Sequence, residues 1–162
     1  MKKLIYILAI LFSISLNGQS IKKLLKKHNT ESVTYVSVEM TKANPNFILL
    51  DARELKEHKV SHIKNAIHVG YNKFNIKETT SKLVNKNAMI VVYCSIGIRS
   101  EDIAEKLQKV GYKNVFNLFG GIFEWKNKQN IIVDSLNNQT EKVHTYNKEW
   151  SRWLKKGIKI YE

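Results

Sequence analysis

The stretch VVYCSIGIRSEDIAEKL, residues 91–107, contains the only cysteine of the chain, Cys94. It begins inside an apolar run, Ala88–Tyr93, and continues into a segment whose apolar residues recur every three or four positions. The run predicts a buried strand, and the spacing after it predicts an amphipathic helix that stops at Gly111. The single thiol is therefore expected on the turn between a strand and a helix.

The same alternation of strand and helix patterns extends to both sides of this stretch. Predicted strands lie at 33–38, 47–51, 66–69, 88–93 and 114–119. Helical patterns lie at 40–43, 52–60, 76–84, 100–110 and 122–128. Strands that alternate with helices predict an α/β domain with a mainly parallel central sheet.

The composition is that of a globular protein with a basic surface. The chain has 162 residues, of which 43% are hydrophobic and 25% charged, and its formal net charge is +13. The lysines are scattered, and arginine, which nucleic-acid interfaces favour, occurs only three times. A solvated lysine-rich surface is therefore expected rather than a nucleic-acid interface. One cysteine cannot form an intramolecular disulfide.

The first twenty residues, MKKLIYILAILFSISLNGQS, have the layout of a secretory signal peptide. Two lysines precede an apolar run, residues 4–16, and small polar residues follow. The run is shorter than the roughly 20 residues that span a bilayer, so no stable membrane anchor is expected. The protein is thus predicted to be exported to the periplasm or cell envelope. An uncleaved amphipathic start is the alternative.

The C-terminal segment differs in character from the region before it. Within TYNKEWSRWLKKG, residues 145–157, apolar side chains at helical spacing predict an amphipathic helix that ends at Gly157: Tyr146, Trp150, Trp153 and Leu154. In one interpretation this helix packs on the domain. In the other, Trp150 and Trp153 contact a partner protein or a membrane surface. The predicted organisation is a signal peptide at 1–20, a domain at 21–130 and a C-terminal extension at 131–162.

The turn that holds Cys94 has the features of a reactive thiol site. Ligands bind at the carboxyl ends of parallel strands, and Cys94 comes directly after the clearest one. Gly97 permits a tight curve whose N–H groups can surround the sulfur, and Ser100 is a typical helix start. Arg99 adds a positive charge beside it. A reactive thiolate is therefore favoured over an inert buried cysteine.

Three segments together resemble the rhodanese-like sulfurtransferase family. CSIGIRS, residues 94–100, is similar to the active-site loop of single-domain members, typically Cys-x-x-Gly-x-Arg-Ser. LLDARELKEHKVSHIKNAIHV, residues 49–69, resembles the early signature of the family. YKNVFNLFGGIFEW, residues 112–125, resembles the late signature. The matches occur in order and cover residues 33–130.

The resemblance implies a three-layer sandwich, with helices on both faces of the sheet, and roles for individual residues. Cys94 would be the nucleophile and Arg99 a second catalytic residue. The residues implied to bind substrate are Ser95, Ile96, Gly97, Ile98 and Ser100. Asp51 and Arg53 would support the loop from a neighbouring strand end, or form a structural ion pair there. His62 is expected to fasten its turn by hydrogen bonds.

The activity implied by the resemblance is a double displacement. A sulfane sulfur passes from thiosulfate or a persulfide to Cys94 and then to a thiol or cyanide acceptor. The expected partners are thus a small sulfur donor and a thiol acceptor, with no metal and no organic cofactor. A non-catalytic rhodanese-like module that binds a protein in the cell envelope is the alternative.

The length and polarity of the loop narrow the expected substrates. Phosphatases that use a cysteine carry five residues between cysteine and arginine, whereas four separate Cys94 from Arg99. The shorter loop argues against a phosphate-sized cradle. Many thiosulfate-using relatives carry a basic residue early in the loop, but here Ser95, Ile96 and Ile98 are uncharged. A persulfide donor is therefore an alternative to thiosulfate.

Overall fold

The computed structural model describes residues 21–161, so the predicted signal peptide lies outside the described residues. The chain divides into two units, with the boundary after residue 31. In the first unit, residues 21–28 form helix α1, and the Asn29 N–H donates to the Leu25 carbonyl at 2.7 Å. Across 21–161, no helix is both long and apolar enough to cross a bilayer.

The second unit is built on a five-stranded parallel sheet with the strand order β1-β5-β4-β2-β3. Its strands are β1 Tyr35–Val36, β2 Ile48–Asp51, β3 Ile67–His68, β4 Met89–Tyr93 and β5 Asn114–Leu118. Every neighbouring pair in this sheet is parallel. The predicted α/β class with a mainly parallel central sheet is confirmed.

Helices connect these strands. They are α2 Val38–Ala43, α3 Leu55–Val60, α4 Ile76–Lys82, α5 Arg99–Lys109 and α6 Gly121–Asn127. Polar side chains mark their starts: the Ser37 hydroxyl accepts the Met40 N–H, and the Asn75 amide oxygen accepts two N–H groups of α4. Because Ser37 caps α2, the predicted strand at 33–38 is limited to two residues.

The core lies between the central strands and α5. Leu50, Ile90 and Val92 are fully buried and pack in one cluster with Ile103 and Leu107. This packing fixes β4 beside β2, with Tyr93 in register with Asp51. The carboxyl ends of the two strands therefore lie next to each other, and Cys94 follows at that edge.

The prediction of an amphipathic helix over 145–157 is wrong. The segment contains one short 3₁₀ turn, Trp150–Trp153, between strands β8 Lys142–His144 and β9 Ile158–Ile160, which pair with each other. An antiparallel pair, β6 Ile132–Val133 and β7 Gln139–Thr140, precedes them.

The backbone explains why this helix does not form. Tyr146 has a left-handed φ of 66°, which a right-handed helix cannot include. The Asn147 side chain accepts the Trp150 N–H at 3.0 Å and begins the short turn instead. Gly157, expected as the end of the helix, has a φ of 101° and leads into β9. Leu154 is nevertheless buried, as the apolar spacing indicated.

Candidate active site

The sulfur of Cys94 lies at the carboxyl end of β4 and contacts two groups of the segment that follows it. The Gly97 N–H donates to Sγ at 3.1 Å, and the Ser100 hydroxyl lies 3.5 Å from Sγ. Gly97 adopts a φ of 121°, a conformation that glycine reaches without strain. The loop therefore turns back toward the sulfur at Gly97, where the sequence predicted the tight curve.

Asn117 on β5 ties this loop to the sheet, a role that no sequence pattern indicated. Its Nδ2 donates to the Gly97 carbonyl at 2.8 Å, and its Oδ1 accepts the Ser100 hydroxyl at 2.7 Å. The side chain is fully buried, so both bonds are shielded from water. Ser100 has a single hydroxyl proton, and Asn117 Oδ1, the nearer acceptor, competes with Cys94 Sγ for it.

Arg99 is held by a carboxylate that the sequence did not single out. Its Nη1 and Nη2 donate to the two carboxylate oxygens of Glu57 at 2.7 and 2.8 Å, and Nη2 also lies 3.1 Å from the Ser95 hydroxyl. Burial would raise the pKa of Glu57, but the Arg99 guanidinium more than offsets it, so this pKa lies below its ordinary value. The guanidinium thus braces the loop against α3. The sequence signal that could have drawn attention to Glu57 is its spacing from Glu54, with which it forms a capping box at the start of α3.

Asp51 and Arg53, at the carboxyl end of β2, form a fully buried ion pair. Arg53 donates from Nε and Nη2 to the two Asp51 oxygens at 2.9 and 2.6 Å. The Tyr93 hydroxyl and the His58 Nδ1 each lie 2.9 Å from Asp51 Oδ2. Burial would raise the pKa of Asp51, yet these partners hold it far below its ordinary value. The contacts are those of a structural ion pair, the second interpretation allowed by the sequence.

His62 is engaged in local bonds. Its backbone exchanges two hydrogen bonds with Val133, at 2.8 and 2.9 Å, and its ring stacks on His58 with centroids 4.0 Å apart. Burial lowers the pKa of His62. These contacts fit the expected role of fastening the turn.

The glycine pair Gly120-Gly121 lets α6 approach the loop closely. In the first turn of α6, the Ile122 N–H donates to the Cys94 carbonyl at 2.9 Å, and the Phe123 N–H donates to the Ser95 carbonyl at 3.1 Å. A Cβ at Gly121 would lie 2.7 Å from the Ser95 backbone carbonyl, closer than real Cβ atoms come to other atoms. The start of α6 therefore holds the Cys94 loop by hydrogen bonds, and this close approach requires glycine at position 121.

A cleft of about 220 Å³ opens above Cys94. The predicted substrate residues Ser95, Ile96 and Ile98 line it, whereas Gly97 and Ser100 contact the sulfur itself. In the part of the chain that the structure describes, Asp51 and Arg53 are not in its wall.

Two further parts of the chain complete the wall of this cleft. Tyr71, after β3, donates to Asp102 at 2.6 Å, and this bond is the main reason that the pKa of Tyr71 is raised to about 12. Tyr146 and Trp150 line the cleft from the C-terminal extension. The sequence analysis singled out both of these aromatic side chains but did not place them at the cysteine.

A cysteine whose sulfur faces a loop N–H at the edge of a parallel sheet defines an α/β protein with a candidate cysteine nucleophile. The family model of the Rhodanese-like domain matches residues 32–128. The chain therefore belongs to the rhodanese-like domain family, as its three signatures indicated.

Individual relatives share part of the chain. Over 81 residues it is 32% identical to thiosulfate sulfurtransferase GlpE of Coxiella burnetii, a match that covers 50% of this chain and 73% of that one. It is 28% identical over 121 residues to a Bacillus subtilis (strain 168) protein provisionally named sulfur carrier protein YrkF. This second match covers 68% of the chain and 64% of the Bacillus subtilis protein, so the chain spans less than two thirds of that relative.

Solved structures share the fold. A Bacillus halodurans protein superposes with a TM-score of 0.54 at 25% identity, over 73% of this chain and 86% of that one. The rhodanese-like domain of an Anabaena protein gives a TM-score of 0.56 at 21% identity, over 62% and 78% of the two chains.

Proposed function

We propose that this protein is a sulfurtransferase that carries a sulfane sulfur on Cys94. The observation that carries the proposal is the position of Sγ, which receives the Gly97 N–H at 3.1 Å while Cys94 lines an open cleft. An N–H donor stabilises the anionic sulfur that attacks a donor and the anionic outer sulfur of the persulfide that results. Relatives named as a thiosulfate sulfurtransferase and a sulfur carrier support the same chemistry.

The proposed reaction has two displacements at sulfur. The Cys94 thiolate attacks the outer sulfur of the donor, a new S–S bond forms, and the donor's own S–S bond breaks. Sulfite leaves if the donor is thiosulfate, and a thiolate leaves if it is a persulfide, each with the bonding electron pair. A thiolate or cyanide then attacks the outer sulfur of the Cys94 persulfide and frees the original thiolate. Covalent catalysis thus divides one transfer into two steps.

Export, which the sequence predicts from residues 1–20, is part of the proposal. Oxidising compartments favour disulfides over free thiols. Since Cys94 is the only cysteine of the chain, the acceptor thiol belongs to another molecule.

The test is sulfur loading of the purified protein. Wild type and Cys94→Ala are incubated separately with thiosulfate and with glutathione persulfide, and intact mass is measured before and after cyanide is added. We expect wild type to gain the mass of one sulfur atom and to release it as thiocyanate, and Cys94→Ala to gain nothing. A folded wild type that never gains sulfur from either donor would favour the non-catalytic binding module.

A further inference from the structure

The C-terminal extension builds one wall of the cleft that contains Cys94. The match to the rhodanese-like domain ends at residue 128, yet Tyr146 and Trp150 line the cleft together with Ile96 and Ile98 of the loop. These two aromatic side chains therefore lie beyond the matched domain. The cleft, at about 220 Å³, is also several times larger than the roughly 30 Å³ that one water molecule occupies in the liquid. The cleft therefore has room for the part of a sulfur donor to which the transferred sulfur is attached.

Hydrogen bonds hold this wall in place. The Tyr146 N–H donates to His144 Nδ1 at 3.0 Å, directly after β8. The Asn127 side chain, at the end of α6, accepts the Lys155 N–H at 2.6 Å and donates to the Trp153 carbonyl at 3.0 Å. The segment with both rings is thus fastened at both ends to ordered elements. A preorganised wall binds with a smaller loss of conformational entropy than a loose one.

The charges of the cleft do not favour a small inorganic dianion. Within residues 21–161, the cation in its lining is Arg99, which is engaged by both oxygens of Glu57. Glu54, a second carboxylate, also lines the cleft. The Tyr146 ring lies over Arg99, with the guanidinium carbon 5.8 Å from the ring centroid. A dianion such as thiosulfate would meet two isoleucines, three aromatic rings and a guanidinium whose charge a carboxylate already neutralises.

We propose that Tyr146 and Trp150 are specificity-determining residues that select an organic sulfane-sulfur donor with an apolar or aromatic carbon group. This inference rests on the proposed sulfurtransferase function. The carbon group packs against the two rings and the isoleucine side chains while its terminal sulfur faces Cys94. The thiolate attacks that sulfur, the donor S–S bond breaks, and the organic group leaves with the electron pair as a thiolate or sulfinate.

The test compares three donors that present the same terminal sulfur: benzenethiosulfonate, methanethiosulfonate and thiosulfate. Each transfers its terminal sulfur to Cys94, and a sulfinate or sulfite leaves. For wild type we expect kcat/KM for the benzene donor to exceed that for the methane donor about tenfold, since each aromatic contact contributes a factor of about two to ten. In the double variant Tyr146→Ala, Trp150→Ala, we expect this ratio to fall to about one.

Matched variants separate specificity from folding. Tyr161→Ala removes an exposed aromatic ring of the same extension whose hydroxyl contacts Ser151, and it should leave the donor ratio unchanged. Tyr146→Phe and Trp150→Phe keep a ring at each position and should retain most of the preference. If the double variant unfolds, the single variants Tyr146→Ala and Trp150→Ala replace it, and each should lower the donor ratio.

The outcomes distinguish this inference from the proposed function. If all three donors load wild type but the double variant, or both single alanine variants, show the wild-type ratio, the specificity role is overturned and sulfur transfer stands. A wild type that uses thiosulfate better than either organic donor overturns it as well. If no donor loads Cys94, both proposals fail together.

Discussion

Glu57 on α3 and Arg99 at the start of α5 form a bidentate ion pair across 42 positions of sequence, with nitrogen–oxygen distances of 2.7 and 2.8 Å. The Glu57 side chain is fully buried, and the Arg99 side chain is 19% exposed. Because both groups also lie near the Ser95 hydroxyl, the pair fixes the loop next to Cys94. The arginine of the loop motif is thus a brace as much as a source of charge.

Glu57→Gln should destabilise the protein by about 3 kcal/mol, since it leaves the largely buried Arg99 guanidinium without its counterion. The free energy of unfolding can be measured by urea denaturation. Glu78→Gln, which removes the acid of a solvent-exposed ion pair with Lys82, is the control and should leave the denaturation midpoint unchanged. Equal losses in the two variants would contradict the bracing role of Glu57.

The contribution of Glu57 should disappear in acid. Its pKa is lower in the folded state than the ordinary value of 4.5, so the folded state binds its proton less tightly than the unfolded state. The stabilisation is therefore complete above about pH 4.5 and is lost as the pH falls through the folded-state pKa. We expect the difference in unfolding free energy between wild type and Glu57→Gln to be constant at neutral pH and to shrink below pH 4.5. If the difference in unfolding free energy between the two proteins grew in acid, the pKa of Glu57 would not be lowered in the folded state.

Asn117→Ala should slow sulfur loading of Cys94 about tenfold or more, because the two bonds that position Gly97 and Ser100 around Sγ are lost. Loading is followed by intact mass at saturating donor, and stability by thermal unfolding. Asn114→Ala, on the same strand with an exposed amide bonded to Asn87, is the matched control. A slower loading rate in Asn117→Ala than in a control of equal stability would show positioning rather than general destabilisation. Equal loading rates in the two variants would rule out a positioning role for Asn117.

Gly121→Ala should cost more stability than Gly111→Ala, although both glycines have left-handed φ values, 56° and 95°. At either position an alanine is strained by about 1–2 kcal/mol. A Cβ at Gly111 has open space around it, whereas at Gly121 it would press on the backbone of Ser95. Overpacking should add about 1–3 kcal/mol to the loss at Gly121. Urea denaturation of both variants measures the difference, and equal losses would show that α6 does not press on the loop.

Local patterns were sufficient to predict the sheet class and the place of the thiol. The apolar run Ala88–Tyr93 reads as a buried strand because its residues are apolar on both faces. Gly97 marks the turn through the freedom of its own backbone. Ser100 lies next to the helix start but does not cap it: α5 begins at Arg99, Ile98 is its N-cap, and the Ser100 hydroxyl donates to Asn117 instead. These signals lie within a few residues of what they specify, so the sequence reveals them directly.

The tail shows where such local reasoning fails. Apolar spacing correctly indicated that Leu154 is buried, but it could not separate an α-helix from a short 3₁₀ turn between paired strands. The left-handed backbone at Tyr146 and the pairing of β8 with β9 depend on contacts across the extension. Spacing alone carries no information about such contacts.

The sequence by itself determined the alternation of strands and helices, the thiol after the central strand and the glycines that let its loop curl, because each follows from the chemistry of adjacent residues. Only the tertiary structure decided which distant groups meet there: Glu57 with Arg99, Asn117 with the loop, and Tyr146 and Trp150 above Cys94. The physical reason is that strand order and packing bring together residues tens of positions apart, and such proximity leaves no periodic trace in the chain.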